Sequence, residues 1–181
     1  PSICYGLRGL AYFQIDLRGT ATDLHSGSFG GAVSNPAQVL AQILAQMRDR
    51  SGRVKIPGFY DDVRPLSEDE RTQIKKLPYN ETRYRKEIGA PKLFGESGYG
   101  TLERVWTRPT FEVNGLLSGF TGVGAKTVIP AVAMAKVSMR LVPDQDPDEI
   151  AQAFEAYLRK VAPKTVELKV TRMHGGKPWM T

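Results

Sequence analysis

Ala131-Val132-Ala133-Met134-Ala135-Lys136-Val137-Ser138-Met139-Arg140-Leu141-Val142 is the stretch on which the fold turns. Ala133, Ala135, Val137, Met139 and Leu141 share one side of an extended chain, while Lys136, Ser138 and Arg140 share the other. Successive side chains of a strand point to opposite faces, so the spacing predicts a strand over 131–142 with one face buried. Arg140 is then aimed away from the core.

Downstream, Asp146-Pro147 supplies a cap and a first helical residue, and Asp148 and Glu149 suit the positive end of the helix dipole. The apolar stripe Ile150, Phe154, Tyr157, Leu158, Val161 carries that helix to Pro163. Val166, Leu168 and Val170 then alternate with Glu167, Lys169 and Thr171 as a last strand. Upstream, 110–117 reads as a strand with Phe111 and Val113 on one face and Glu112 and Asn114 on the other, before a loop marked by Gly119, Gly122 and Gly124. Near the amino end, Ala11, Phe13, Ile15 and Leu17 alternate with Tyr12, Gln14, Asp16 and Arg18. Asn35 and Pro36 open a helix through Leu40, Ile43, Leu44 and Met47, which Ser51-Gly52 stops.

The order strand, helix, strand, strand, helix, strand predicts an α+β fold, a ferredoxin-like split βαβ sandwich: a four-stranded antiparallel sheet with two helices on one face. Residues 53–108 fit none of this and read as a partly helical insertion, with helices expected over 67–76, 80–88 and 99–106. The segment His174-Gly175-Gly176-Lys177-Pro178-Trp179 is expected to leave the sheet as a crossover.

A chain of 181 residues suits one domain with a sizeable insertion. Its hydrophobic share of 41% and charged share of 24% are those of globular proteins, which disfavours disorder. No apolar run approaches the roughly 20 residues that span a bilayer, so no membrane partner is expected. Cys4 is the lone cysteine, which excludes an internal disulfide and a thiolate metal cluster and favours a reducing, cytoplasmic setting. The net charge of +6 is scattered, densest at Arg83, Arg85 and Lys86, so no nucleic-acid partner is expected. An RNA-binding sheet would need outward aromatics, and Lys136, Ser138, Glu112 and Asn114 occupy those positions, with Tyr12 the exception. The chain opens on Pro1 without a methionine and stops at Thr181 without a helix or strand ending, and so reads as a piece of a longer protein.

His25 follows a strand in the glycine-rich loop Asp23-Leu24-His25-Ser26-Gly27-Ser28-Phe29-Gly30-Gly31. Ser26 and Asp23 are too near in sequence to flank one imidazole as a triad, and His174 is the only other histidine available as a metal partner. Two readings stay open: a donor to an anion or developing oxyanion, or a loop histidine bonded to local backbone. Arg140 can grip a carboxylate with two parallel hydrogen bonds, or pair across strands with an acid. Lys126-Thr127, after Gly122-Val123-Gly124, offers amides and a hydroxyl to an anion, or simply a turn. Asp61-Asp62 suggest carboxylate ligands; Asp144, Asp146 and Asp148 are better explained by turn and helix-start chemistry.

Tyr5-Gly6-Leu7-Arg8-Gly9, residues 23–31, Ile56-Pro57-Gly58, residues 124–130 and 140–143, and Gly175-Gly176-Lys177-Pro178-Trp179 together resemble a known family. It is the lid or dimerisation domain of the di-zinc metallopeptidases that include carnosinase, cytosolic nonspecific dipeptidase, aminoacylase and acetylornithine deacetylase, with the nonspecific dipeptidase branch nearest. The resemblance implies a single lid/dimerisation domain over 1–181, joined to a catalytic domain that lies outside this chain. It implies no metal ligand and no cofactor here, two Zn2+ in the parent enzyme, a homodimer, and a dipeptide or acyl-amino-acid substrate. His25 matches a histidine that steadies the oxyanion in the neighbouring subunit, Thr127 a substrate-contacting residue also supplied across the dimer, and Arg140 the arginine that binds the substrate carboxylate. The alternative from a different class is a free-standing ferredoxin-like assembly module without activity.

Overall fold

The computed structural model describes residues 5–181, so Cys4 lies outside the described residues. In chain order the elements are β1 (Gly6–Leu7), β2 (Gly9–Arg18), β3 (Leu24–His25), α1 (Ser26–Phe29), α2 (Pro36–Gln46), α3 (Glu68–Lys75), α4 (Glu81–Glu87) and α5 (Thr101–Thr107). They continue with β4 (Thr110–Ser118), β5 (Val128–Ile129), β6 (Val132–Leu141), α6 (Pro147–Val161), β7 (Glu167–Gly176) and β8 (Trp179–Met180). The principal sheet has four strands in the order β4-β6-β2-β7, every neighbour antiparallel, and two-stranded pairs β1-β8 and β3-β5 flank it.

The two central strands carry the strongest alternation. Ala11, Phe13, Ile15 and Leu17 of β2 lie opposite Met139, Val137, Ala135 and Ala133 of β6, and all eight are buried. Val39, Leu40 and Ile43 of α2 and Ile150, Ala151, Phe154 and Leu158 of α6 close over that same face in one cluster. Phe154 sits at its centre, its ring 4.8 Å from Phe13 and 6.2 Å from Phe111. Each such large buried side chain contributes roughly 1.5–3 kcal/mol relative to exposure. The opposite face carries no helix and holds Tyr12, Gln14, Asp16, Lys136, Ser138 and Arg140.

Both long helices start where their caps predict. Asn35 Oδ1 accepts from Ala37 N–H and Asp146 Oδ1 from Asp148 N–H, with Pro36 and Pro147 next in line. The stop of α2 comes earlier than Ser51-Gly52, because Met47 is the cap residue and a turn built on Asp49 follows. Between 53 and 108, α3 and α4 are capped by Ser67 and Asn80. Val54, Ile56 and Phe59 join the core cluster, and buried Gln145 donates to Phe59 O at 2.7 Å.

Two expectations need correction. Asn114 does not share a face with Glu112, because a bulge between Val113 and Gly115 leaves it without a partner, and Leu116 then lies opposite Ala135. The segment from His174 does not leave the sheet either. His174, Gly175 and Gly176 are strand residues opposite Tyr12, Ala11 and Leu10, and only Lys177 and Pro178 depart before β8 pairs with β1. Glycine there reads as a break, but the ladder to β2 holds the backbone extended. Gly9 is needed at the departure, since a Cβ would meet Gly176 O and Pro178 N at 2.6 Å.

Candidate functional site

His25 and Thr127, 102 positions apart in sequence, are brought together by two loops at one end of the sheet. The first leaves β2 at Arg18 and the second enters β6 at Val132, and these two residues are register partners. Four ties join the loops. Gly19 N–H donates to Ala131 O at 2.9 Å, Ala131 N–H to Asp23 Oδ1 at 2.8 Å and Ser26 N–H to Thr127 O at 3.0 Å, while β3 pairs with β5. Asp23 is therefore a clamp on the second loop, and Ser26 opens α1, so neither attends the imidazole as a triad member.

The His25 side chain also caps α1, its Nδ1 accepting from Gly27 N–H at 3.0 Å. A nitrogen that accepts from an amide carries no proton, so the neutral ring holds its hydrogen on Nε2. Nε2 lies 3.1 Å from Thr127 Oγ1, which accepts that N–H and keeps its own hydroxyl hydrogen for another acceptor. Of the two open readings of His25, the bond to local backbone is present, on Nδ1, while Nε2 is engaged with Thr127. His25 and Thr127 are both exposed, and the Thr127 hydroxyl hydrogen is the one left for an outside acceptor. Gly27 is part of this design, because a Cβ there would stand 2.7 Å from His25 Cε1. Its place two residues after His25 was the only sequence signal for it.

Arg140 occupies the other end of the same ladder, opposite Leu10 of β2 and Thr110 of β4, with its side chain exposed on the helix-free face. Its alternative use as a cross-strand ion pair is not realised among the described residues. The nearest acid along the sheet, Glu112, faces Arg48 at 3.8 Å instead. From Val132 to Arg140 the strand advances about 26 Å at roughly 3.3 Å per residue, against a dipeptide length of about 7 Å. One protomer therefore does not bring Arg140 and the His25–Thr127 pair to one small substrate.

Two concavities, about 180 Å3 and 500 Å3, lie between residues 74 and 104 and are lined by none of these three residues. His25, Thr127 and Arg140 stand on open surface, where a ligand needs a second body to enclose it. Among the described residues no group of three or more His, Cys, Asp or Glu is placed to hold a metal. His25 is no exception, with Nδ1 occupied and Nε2 protonated. Asp144 pairs with Arg64, while Asp146 takes Lys177 at 2.8 Å and Asp148 takes Arg172.

Comparison with known proteins gives this arrangement a family. A model of the M20 peptidases described as "Peptidase dimerisation domain" matches residues 5–166. The Cys-Gly metallodipeptidase DUG1 of Candida albicans is 33% identical, across 100% of this chain and 38% of that protein. The Beta-Ala-His dipeptidase of Homo sapiens is 32% identical, across 99% of this chain and 36% of that one. The crystal structure of human carnosine dipeptidase 1 superposes with a TM-score of 0.89 at 32% identity, covering 99% of this chain and 39% of that chain. An M20 family metallo-carboxypeptidase, Sso-CP2 from Sulfolobus solfataricus, does so at 0.80 and 36% identity, covering 95% and 39%. The chain spans about 38% of the length of the first of these curated relatives. With one family model over most of its length and relatives sharing a third of its residues over nearly all of it, the chain belongs to the M20 peptidase dimerisation-domain family.

Proposed function

We propose that this chain is the dimerisation and lid domain of a zinc-dependent dipeptidase-like enzyme that cleaves dipeptides or acyl-amino acids. In this reading His25 and Thr127 act on the substrate held by the partner subunit, and Arg140 acts on the substrate of its own. The observation that carries it is that the loops holding His25 and Thr127 join the sheet at Arg18 and Val132, about 26 Å along β6 from Arg140, a gap that a dimer of opposed ends removes. The family's dimerisation role displaces the free-standing module as the leading alternative. The strand order and the two helices on one face support a ferredoxin-like split βαβ as the frame.

The edge strand β4 suits the contact. Among the described residues its only ladder partner is β6, and Val113, Leu116 and Leu117 are 46%, 62% and 59% exposed. The other edge, β7, carries Glu167, Lys169 and Arg172, charges of the kind that blunt strand addition. A two-fold axis beside β4 runs it antiparallel to its copy. Thr110 lies at the Arg140 end and Ser118 at the Val132 end, so the His25 end of one sheet comes to lie beside the Arg140 end of the other.

Amide hydrolysis places negative charge on the former carbonyl oxygen, and a fixed donor there is worth roughly 10²–10³ in rate. His25 Nε2–H, oriented by the Gly27 bond on the opposite nitrogen, becomes such a donor when it turns from Thr127 Oγ1 to the substrate oxygen. Thr127 adds a hydroxyl beside it, and the Arg140 guanidinium fixes the free carboxylate and with it the scissile bond. The two zinc ions of this reading supply the activated water. In this reading their ligands come from the catalytic domain, and a cytoplasmic location completes the proposal.

Subunit complementation tests it. His25→Ala and Arg140→Gln parents are each expected to be nearly inactive as homodimers. Mixed and re-associated one to one, they regain about a quarter of wild-type activity, because half the dimers are mixed and each holds one intact site. No regain in dimers shown to have exchanged would place both residues in one subunit's site and overturn the trans assignment.

A further inference from the structure

Arg8 precedes β2 by one residue and continues the alternation of the helix-free face, with Leu10 and Tyr12 next on that side. Leu10 is the register partner of Arg140 and the ladder begins at Gly9–Leu141, so Arg8, one residue before the ladder and two before Leu10, lies close enough to position 140 for long side chains to approach. The Arg8 side chain is half-buried.

Several other cations of the domain are paired with acids. Arg48 faces Glu112, Lys177 binds Asp146 and Arg172 binds Asp148, while Arg53 and Arg108 share Glu96. Arg8 and Arg140, standing side by side, have no acidic partner among the described residues. Burial first, and the charge of Arg140 second, hold the Arg8 guanidinium below its ordinary pKa. Two adjacent guanidiniums, one of them partly withdrawn from water, form a costly arrangement that an anion lying between them would relieve.

We propose that Arg8 is the second guanidinium of the substrate-carboxylate clamp, sharing with Arg140 the terminal carboxylate of the bound substrate. The inference rests on the reading of Arg140 given above. A single exposed guanidinium competes with bulk water for its anion. A second one, packed against the sheet with less freedom to lose, raises the cost of any substrate that ends in a neutral group.

The test uses the full-length parent, a dipeptide and the same dipeptide with its terminal carboxylate converted to an amide. Arg8→Gln is expected to raise KM for the free acid about tenfold, the loss of one charge-assisted hydrogen bond, with little change in kcat and none for the amide. Arg140→Gln does the same, more strongly. Arg8→Lys keeps the charge without the planar fork and recovers part of the loss. It serves as the measured variant if Arg8→Gln does not fold. An equal KM change for acid and amide in the Arg8 variants, or no change, while Arg140→Gln still discriminates, makes Arg8 a structural residue and leaves the Arg140 assignment standing. Loss of discrimination by neither variant removes both.

Discussion

The two ends of the β2–β6 ladder are built in opposite ways. At the Arg18–Val132 end, two loops are stitched by backbone hydrogen bonds, by Asp23 and by a small strand pair, and the product is one imidazole in a fixed tautomer beside one hydroxyl. At the Leu10–Arg140 end nothing comparable holds the functional group, and what accumulates is positive charge without a counter-ion. The first construction suits a donor that must meet an oxygen as its charge develops, where orientation is the source of the effect. The second suits a ground-state carboxylate, where charge matters and a flexible stem is tolerated. One end should therefore govern kcat and the other KM, and the contact between subunits should govern both.

That contact offers the most direct way to break the comparison. Leu116→Lys with Leu117→Lys adds two charges to each β4 edge and four to a symmetric pair, while neither leucine is buried in the single chain. Sedimentation of the full-length parent is expected to show monomers with an unchanged far-ultraviolet spectrum. Activity should fall to the level left when both trans residues are missing, below that of any single site variant. A dimer that survives the double substitution would move the interface away from β4.

His25→Ala sharpens the contrast between the ends. The expected result is a fall of about 10²–10³ in kcat with KM within a few-fold of wild type and the bound zinc unchanged by metal analysis. Loss of metal would make His25 a ligand. A KM effect as large as the kcat effect would place the imidazole on the ground state, which is the property assigned here to the arginine end.

How much of this the sequence carried follows from the range of the forces involved. The strands and both long helices were legible because a buried face imposes a period on its own residues, as in Phe13, Ile15 and Leu17, and because Asn35-Pro36 and Asp146-Pro147 are local signals. The pairs β3-β5 and β1-β8, two residues each, were not, since so short a strand has no period and exists through its partner. His25, Thr127 and Arg140 were singled out by their neighbours in the chain, but those neighbours left a structural use open for each, and only the family resemblance supplied roles. The hydrogen bond between His25 and Thr127, and the 26 Å or so of β6 between Val132, where the Thr127 loop joins the sheet, and Arg140, are products of register, which no local pattern records. The same holds for the Asn114 bulge, because an extra residue in a strand is defined only by what the opposite strand does.

The smallest expected effect concerns how the arginine end disposes of its other cations. Asp146 caps α6 through Asp148 N–H and binds Lys177 at 2.8 Å, tying the helix start to the residue where the chain leaves the sheet. The hydrogen bond from Lys177, and then that from Asp148 N–H, hold the Asp146 carboxyl below its ordinary value of 3.8. A group whose pKa is lower in the folded than in the unfolded chain stabilises the fold fully above the unfolded value and loses that contribution as pH falls through the folded one. Asp146→Asn keeps an oxygen for the cap but releases Lys177, adding a third unpaired cation to the end that holds Arg8 and Arg140. Thermal unfolding of the full-length parent should then show a small deficit in the variant at pH 7 that starts to shrink below about 4, the unfolded value, and closes only as pH falls through the lower folded value, where the wild-type carboxyl also becomes neutral. Because the pair is exposed and screened, the deficit should shrink with added salt, whereas a deficit that persists at low pH and high salt would belong to the cap alone.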